Sequence, residues 1–168
     1  MRCFRSGLVV VALSCAVAPP GLAQSGEARS VARMQQLSAK LARSYLQTWS
    51  SSTRAALMHV PQLYAPQISF YGRRLDHHKL MREKARFLQR WPVRSYAHRP
   101  GTMRISCDAR AARCLVRSVV DWRAESPVRR AVSRGVSRFE QGIDLSGSRP
   151  RVFLERGAVL SHAGGRRS

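Results

Sequence analysis

The chain has 168 residues and a formal net charge of +21, with 30 lysines and arginines against 9 acidic residues. This length suits one domain with a sizeable core and leaves no room for a second large one. The charge favours an anionic partner such as lipid headgroups, lipopolysaccharide, acidic glycans or nucleic acid. A GC-rich genome would produce the same arginine excess without any functional partner.

The N-terminus has the pattern of a secretory signal peptide over residues 1–23. Two arginines precede an apolar run from Gly7 to Ala18, and small residues stand before a cleavage point after Ala23. The run is too short to span about 30 Å of hydrocarbon. We therefore predict a periplasmic or secreted protein with no transmembrane span in its mature form. An uncleaved N-terminal anchor is the alternative.

Helical patterns come first in the remaining chain. Residues 24–30 are polar and predicted to be flexible, and apolar residues at three- and four-residue steps predict an amphipathic helix over 31–49. A second helix, disturbed by Pro61, is predicted from 54 to about 64, followed by a short strand over 68–71. A third helix is predicted over 77–90, with Asp76 as its N-cap and Lys84 on its solvent-facing side.

From Val93 onward the apolar period changes from helical to alternating, which predicts strands. The pattern gives an extended segment over 94–107 that is interrupted at 100–101, then strands over 114–124, 130–145 and 151–160. Residues 161–168 are predicted to form a loose basic tail.

Two cysteines remain in the predicted mature chain, Cys107 and Cys114. If they face each other in an antiparallel hairpin, Ile105 lies opposite Val116, and the apolar residues of both strands share the face of the sulfur atoms. A slip of one residue would destroy this agreement. We therefore predict a disulfide between Cys107 and Cys114. Two free buried thiols are the alternative.

The same alternation separates two faces in the later strands. One face is apolar and the other basic, and the N-terminal helices are the available cover for the apolar face. The prediction is an α+β protein with N-terminal helices packed on a curved antiparallel sheet. The apolar face carries Val116, Val120, Trp122, Phe139 and Ile143, and the basic face carries Arg117, Asp121, Arg123, Arg134 and Arg138.

This order of elements resembles the NTF2-like superfamily, which includes SnoaL-like and ketosteroid-isomerase-like domains. The stretch from Phe70 to Tyr96 (FYGRRLDHHKLMREKARFLQRWPVRSY) is similar to a segment of small exported bacterial members, and the resemblance covers residues 31–160. It implies a cone with an internal cavity and a tendency to form homodimers through the sheet. The resemblance does not imply one activity, since this fold hosts enzymes, ligand binders and interaction modules.

Six aromatic residues are predicted to line the implied cavity. Tyr45 and Tyr64 carry the prediction best, because a buried hydroxyl needs a hydrogen-bond partner. The alternative is that the six side chains only fill a core. The predicted lining residues are Tyr45, Trp49, Tyr64, Phe70, Trp91 and Trp122.

No residue is predicted to be catalytic. An isomerase of the resembled type needs a carboxylate base in the cavity and an oxyanion donor such as tyrosine. Asp121 falls on the outward face, Asp76 is assigned to the helix cap, Asp108 lies in a turn, and the facing of Glu155 is left open. The two histidines after Asp76 point about 100° apart, so no metal site is predicted, and no motif indicates a cofactor.

The outer face of the sheet is predicted to bind anions through five arginines. Guanidinium groups suit phosphates and carboxylates. No aromatic residues lie among them, which disfavours nucleic acid. Pairing of the arginines with Asp121 within the sheet is the alternative. The five are Arg104, Arg117, Arg123, Arg134 and Arg138.

Together these patterns predict an exported, non-enzymatic NTF2-like domain. It would bind a small apolar or amphipathic ligand in the cone or act as an interaction module of the cell envelope. One alternative is an NTF2-like isomerase, dehydratase or hydrolase that uses tyrosine and aspartate in the cone. The other is an electrostatic binder of anionic envelope polymers.

Overall fold

The structure is a computed structural model that describes residues 20–166, with side chains described for residues 27–165. The elements follow in chain order. They are α1 (Pro20–Ser50), α2 (Thr53–Met58), α3 (Val60–Leu63), β1 (Tyr64–Phe70), β2 (Arg73–Asp76), α4 (His77–Arg90), β3 (Val93–His98), β4 (Arg104–Asp108), β5 (Arg113–Ser126), β6 (Ala131–Asp144) and β7 (Arg151–Arg166).

The start of α1 differs from the prediction. Residues 1–19, most of the predicted signal peptide, lie outside the described residues. Residues 20–30 hold the predicted cleavage point and the predicted flexible start, and here they are helical and belong to α1. None of the helices described from residue 20 onward is both long and apolar enough to cross a membrane.

The strands form one curved sheet in the order β2-β1-β7-β6-β5-β3, with β4 also pairing with β5. The predicted α+β class, with helices packed on a curved sheet, is confirmed. The sheet is mixed rather than antiparallel, because β1 and β7 pair in parallel. A pair of strands so distant in sequence has no hairpin turn to fix its direction.

The N-terminal half contains a strand that the sequence did not predict. Tyr71 and Gly72 both have positive φ angles, 48° and 82°, and turn β1 directly into β2. The predicted second helix is divided at His59 into α2 and α3, and the disturbing Pro61 lies in the first turn of α3. Helix α4 has the predicted bounds, and the Asp76 side chain caps it by accepting a hydrogen bond from the Lys79 amide at 2.8 Å.

The cysteine hairpin follows the predicted register. Cys107 pairs with Cys114, Ile105 pairs with Val116, and the sulfur atoms are bonded at 2.04 Å. The predicted pairing stops at β4. Val120 lies opposite His98 of β3, because a turn at residues 100–101 interrupts the extended segment, and the continuous hairpin register would have placed Gly101 there.

Strand β7 continues through most of the predicted tail. Its last residues pair with the start of β6, where Gly135 lies opposite His162 and Ala131 opposite Arg166. Backbone N–H and C=O groups of β6 can pair with a neighbouring strand whatever its side chains are. The glycine-rich end of β7 therefore forms a strand although its sequence has no strand pattern. A bulge between β6 and β7 near Leu160 bends the sheet at this point.

A buried arginine fixes the end of α1 against the sheet. Arg94 of β3 is 6% exposed and donates hydrogen bonds to the carbonyl oxygens of Trp49, in the last turn of the helix, and Ser51, just after it. It also donates to the Trp91 carbonyl after α4 at 2.6 Å. A cation at a helix C-terminus satisfies carbonyl groups that have no partner within the helix. One side chain therefore positions two tryptophans of the cavity described next.

Candidate ligand cavity

A cavity of about 340 Å³ lies between α1, α4 and the concave face of the sheet. This volume is at the lower end of the range for sites that hold small molecules. Its walls are mostly aromatic and aliphatic, with two charged side chains among them. The lining residues are Tyr45, Leu46, Trp49, Phe70, Tyr71, Lys84, Phe87, Leu88, Trp91, Tyr96, Val120, Trp122, Ala124, Ser133, Ser137, Phe139 and Glu155.

Five of the six aromatic residues predicted to line a pocket contribute to these walls. They come from α1, β1, the end of α4 and β5. The sixth, Tyr64, is fully buried beside Tyr45 with its ring edge-on at 6.0 Å, and it does not line the cavity. Ligand binding by these residues stays a prediction. The five that line the cavity are Tyr45, Trp49, Phe70, Trp91 and Trp122.

One buried polar cluster borders the cavity. It consists of Tyr45, Tyr64, Lys84 and Glu155, and we call it the floor cluster. Lys84 Nζ donates to Glu155 Oε1 at 2.9 Å. The hydroxyl groups of Tyr45 and Tyr64 donate to Glu155 Oε2 at 2.5 and 2.9 Å. The two hydroxyl oxygens are 2.8 Å apart. Four side chains from α1, β1, α4 and β7 thus satisfy one another's hydrogen-bonding groups.

Lys84 is buried, which corrects its predicted position on the solvent-facing side of α4. Its ammonium lies 4.5 Å from the ring centre of Trp49 and 4.8 Å from that of Phe70. Leu80, Lys84 and Leu88 are four residues apart and form the buried stripe of the helix. The four-residue spacing indicated that Lys84 is buried. It was predicted on the solvent-facing side because lysine is charged.

Glu155 is 4% exposed and faces the cavity, a facing that the sequence left open. Strict alternation from the buried Val152 would put Leu154 inward and Glu155 outward. An irregularity in the β6–β7 pairing shifts the register between Gly142 and Ile143, and Glu155 then lies opposite the buried Gln141. A bulge of this kind reverses the side-chain parity of a strand, and the sequence carried no signal for it.

The tyrosines of the floor cluster remain neutral donors. Burial raises the pKa of Tyr45 well above its ordinary value, and the negative charge of Glu155 raises it further. The pKa of Tyr64 is also raised well above its ordinary value, first by burial and then by the same carboxylate. Both phenols therefore keep the proton that each can donate.

A second aromatic contact borders the cavity on β5 and β6. The Trp122 indole N–H donates to Ser137 Oγ at 2.9 Å, and the ring of His162 stacks on Trp122 at 5.7 Å. Gly135 lies beneath the indole, where a Cβ would stand 2.8 Å from a ring carbon of Trp122 and 2.2 Å from the Ser161 carbonyl oxygen. A glycine is therefore required for Trp122 to lie across β6.

The five predicted anion-binding arginines lie on strands of the sheet, but they do not form one free stripe. Arg104 donates to the carbonyl oxygens of Gly101 and Met103. Arg117 is 2.5 Å from Glu140, and Arg123 is 2.6 Å from Glu125. The other two, Arg134 and Arg138, are exposed. The predicted partner Asp121 pairs with Arg99 instead, at 2.6 Å.

The described aspartates all act outside the cavity. Asp76 caps α4, Asp108 accepts from the amide of Arg110, and Asp144 accepts from the amide of Ser146. The predicted enzymatic alternative therefore lacks its aspartate, and Glu155 is the carboxylate that lines the cavity. Across residues 20–166, no three His, Cys, Asp or Glu side chains come together as metal ligands would.

Comparison with known proteins identifies the fold. A proposed scytalone dehydratase from Novosphingobium aromaticivorans superposes with a TM-score of 0.64 at 7% identity, over 77% of this chain and 85% of that one. A Caulobacter vibrioides protein with a cystatin-like fold gives 0.62 at 12% identity, over 77% and 91%. A hexachlorocyclohexane dehydrochlorinase gives 0.60 at 6% identity, over 77% and 87%.

The chain has the NTF2-like (SnoaL-like) fold that the sequence predicted. Neither a protein-family model nor a curated protein matches the sequence. At these identities the structural similarity establishes the fold and carries no activity with it.

Proposed function

We propose that the protein binds a small, mainly apolar molecule in the cone, with one neutral polar group of the ligand near the floor cluster. The aromatic cavity is the observation that carries this proposal. Apolar walls with a few convergent polar groups are typical of small-molecule sites. Lys84 and Glu155 neutralise each other, so the floor offers no net charge to a charged ligand.

A filled cavity tests this proposal. Ala124 lines the cavity and is 3% exposed, so Ala124→Phe places a ring in the space that a ligand would occupy. Ala97 of β3 is exposed, and Ala97→Phe adds the same ring outside the cavity. The probe is N-phenyl-1-naphthylamine, a neutral apolar fluorophore. We expect Ala124→Phe to weaken probe binding by about tenfold or more and Ala97→Phe to leave it unchanged.

Equal probe affinity in the two variants would contradict binding in the cone. Ser133→Leu is a milder filling variant in case Ala124→Phe unfolds, because Ser133 lines the cavity without being fully buried. Native mass spectrometry of the purified protein adds an independent readout. A retained mass beyond that of the polypeptide would report a bound molecule from the host.

Proton-transfer catalysis is a second candidate, favoured by the one carboxylate that lines the cavity. Glu155 would accept a proton from carbon, and Lys84 or Tyr45 would donate to the developing oxyanion. We rank it second because both Glu155 oxygens already accept hydrogen bonds from the cluster. These donors already occupy part of the accepting capacity of the carboxylate and hold it in the cavity wall.

A simple ketone tests the catalytic candidate. With 2-tetralone as probe, catalysis predicts deuterium exchange at the carbon next to the carbonyl, followed by NMR, and loss of that exchange in Glu155→Gln. The matched control is Glu140→Gln, which changes a carboxylate on the outer face. Exchange equal to that of buffer would reject proton abstraction from this ketone class while leaving the binding proposal intact.

The remaining predictions stay proposals. We propose that the protein is exported, and the disulfide is compatible with an oxidising compartment. A homodimer through the sheet and an anionic envelope partner are also proposed, the latter now through Arg134 and Arg138. Light scattering tests the dimer, and a fractionated expression host tests export.

A further inference from the structure

The mouth of the cavity carries exposed apolar side chains. Among the lining residues, Tyr71 is 51% exposed and Phe87 is 42% exposed, so the cavity opens between the β1–β2 turn and α4. Val159, which is 63% exposed, lies opposite the lining residue Ser137 and extends the same opening along β7. Three large apolar side chains thus meet solvent around one opening.

Tyr71 holds its place at the mouth despite an unfavourable backbone. Its φ angle of 48° is in the left-handed region, where a bulky aromatic residue is an outlier. Its amide donates to the Glu155 carbonyl at 2.9 Å, and its ring packs edge-on against Phe70 at 4.9 Å. Strain of this kind clusters at binding and switch sites.

The turn between β5 and β6 lies beside the same opening. The Arg129 guanidinium stacks 4.9 Å from the ring centre of the lining residue Trp91 and donates to the Arg90 carbonyl. The preceding residue, Val128, is 95% exposed at the tip of this turn. Arg130 follows with a φ angle of 47°. An exposed valine is therefore followed by two arginines next to the cavity wall.

Arginines predominate among the charged residues around the mouth. The sequence has no acidic residue from 84 to 107 or from 126 to 139, the segments that carry Phe87, Arg90, Trp91 and the β5–β6 turn. Glu83, just before them, is already paired with Arg73 and Arg86. Glu125, which immediately precedes the second of these segments, lies 2.6 Å from Arg123. An apolar tip surrounded by arginines complements an anionic lipid surface, where phosphates meet the cations and acyl chains meet the apolar groups.

We propose that this rim, formed by Tyr71, Phe87, Val128, Val159, Arg90, Arg129 and Arg130, docks onto an anionic lipid bilayer and opens the cavity toward it. Docking goes beyond ligand binding and does not require it. It would let an apolar molecule pass between membrane and cone without crossing water.

Two matched pairs of variants at opposite ends of β5 test the docking. Val128→Asp and Arg130→Asn change the rim, and asparagine tolerates the positive φ of Arg130. Ala111→Asp and Arg110→Asn make the same charge changes in the exposed β4–β5 turn, about 40 Å away along a strand of this length. All four positions are exposed turn residues, so the variants should fold.

Vesicle flotation at low salt gives the readout, with vesicles of phosphatidylcholine alone or mixed equally with phosphatidylglycerol. We expect the unaltered protein to bind only the mixed vesicles. Val128→Asp should weaken this binding about tenfold and Arg130→Asn about fivefold, while the β4–β5 variants stay within about twofold. N-phenyl-1-naphthylamine binding, measured on the same samples, reports the cone separately.

Three results would overturn the proposal. One is no binding of the unaltered protein to the mixed vesicles. Another is an equal loss in the rim and β4–β5 variants, which would indicate net charge alone. The third is an equal loss of heparin binding and vesicle binding in Arg130→Asn with no effect of Val128→Asp, which would indicate a polyanion site in place of a membrane surface.

Discussion

Two buried carboxylates in this protein each accept hydrogen bonds from several side chains, three for Glu155 and two for Glu140, and their surroundings differ. Glu155 lies in the cavity wall with a side chain 5% exposed, and its cation Lys84 is 11% exposed. Glu140 lies on the outer face of the sheet with Arg117 and Arg156, whose side chains are 54% and 60% exposed. In the first cluster both charged side chains are buried from solvent. In the second cluster only the carboxylate is buried, and its two arginines are exposed.

The difference shows how burial sets the consequence of an ion pair. For Glu140, burial alone would raise the carboxyl pKa, but hydrogen bonds from Arg156 and Arg117 lower it overall. Solvent can replace either guanidinium there. Solvent cannot replace Lys84 beside the buried Glu155, so loss of Lys84 leaves an uncompensated charge in an apolar wall.

The largest expected effect comes from breaking the inner pair. Lys84→Met should lower the free energy of unfolding by about 3–5 kcal/mol, because Glu155 stays buried without its cation. The double variant Lys84→Met/Glu155→Met should recover most of that loss, since neither charge remains. Denaturant unfolding at constant m-value measures both. A loss below about 1 kcal/mol in the single variant would mean that water reaches Glu155.

Removal of the disulfide should have the second-largest effect on stability. It also tests whether the outer cluster, formed by Glu140, Arg117 and Arg156, depends on the backbone of the hairpin or on charge. Cys107→Ser/Cys114→Ser should lower the free energy of unfolding by about 2.5 kcal/mol, the entropy of closing an eight-residue loop. Arg117 follows Cys114 on β5, so a loosened hairpin would also loosen its pairing with Glu140. A thermal scan with and without reductant checks this, with the reductant effect absent from the double variant.

His98 sharpens the comparison as a half-buried polar side chain held by two hydrogen bonds to neutral groups. Its Nε2 donates to the Ala42 carbonyl at 3.0 Å, and its Nδ1 accepts from the Ser118 hydroxyl at 2.9 Å, as a neutral ring does. Burial lowers the pKa of His98 below its ordinary value of 6.5. The unfolded chain therefore binds the proton more readily, and stability is fully present above about pH 6.5 and lost as the pH falls toward the folded pKa.

The measurement is unfolding free energy from pH 7.5 down to 5.5, chosen to span the ordinary histidine pKa of about 6.5. We expect His98→Gln to be less stable at pH 7.5 and to show a shallower decline with acid. An unchanged slope in the variant would assign the acid sensitivity to another group.

The smallest effect is expected from the outer cluster. Arg156→Met removes a cation from Glu140 as Lys84→Met does from Glu155, but Arg117 and solvent remain. We expect a loss below about 1 kcal/mol, shrinking further at high salt. A loss matching that of Lys84→Met would erase the contrast between the two clusters.

Local patterns predicted much of this fold. The bounds of α4, its Asp76 cap and the register of Cys107 with Cys114 all follow from side chains near one another in sequence. The cavity itself was implied by the resemblance, and residue type indicated which aromatic side chains would line it. Each of the local features is set by the helical or the alternating period.

The floor cluster required the tertiary structure. Its members are spread over α1, β1, α4 and β7, and Glu155 faces inward through a pairing irregularity with no sequence signal. The exposed rim also joins distant turns, through the contact of Arg129 with Trp91. The sequence by itself determined the class of fold and the disulfide, because these depend on local periodicity, whereas the cavity was implied by the resemblance to a known fold. Only the folded chain decided which charges are buried together, because that depends on strand register and on water removed from all sides.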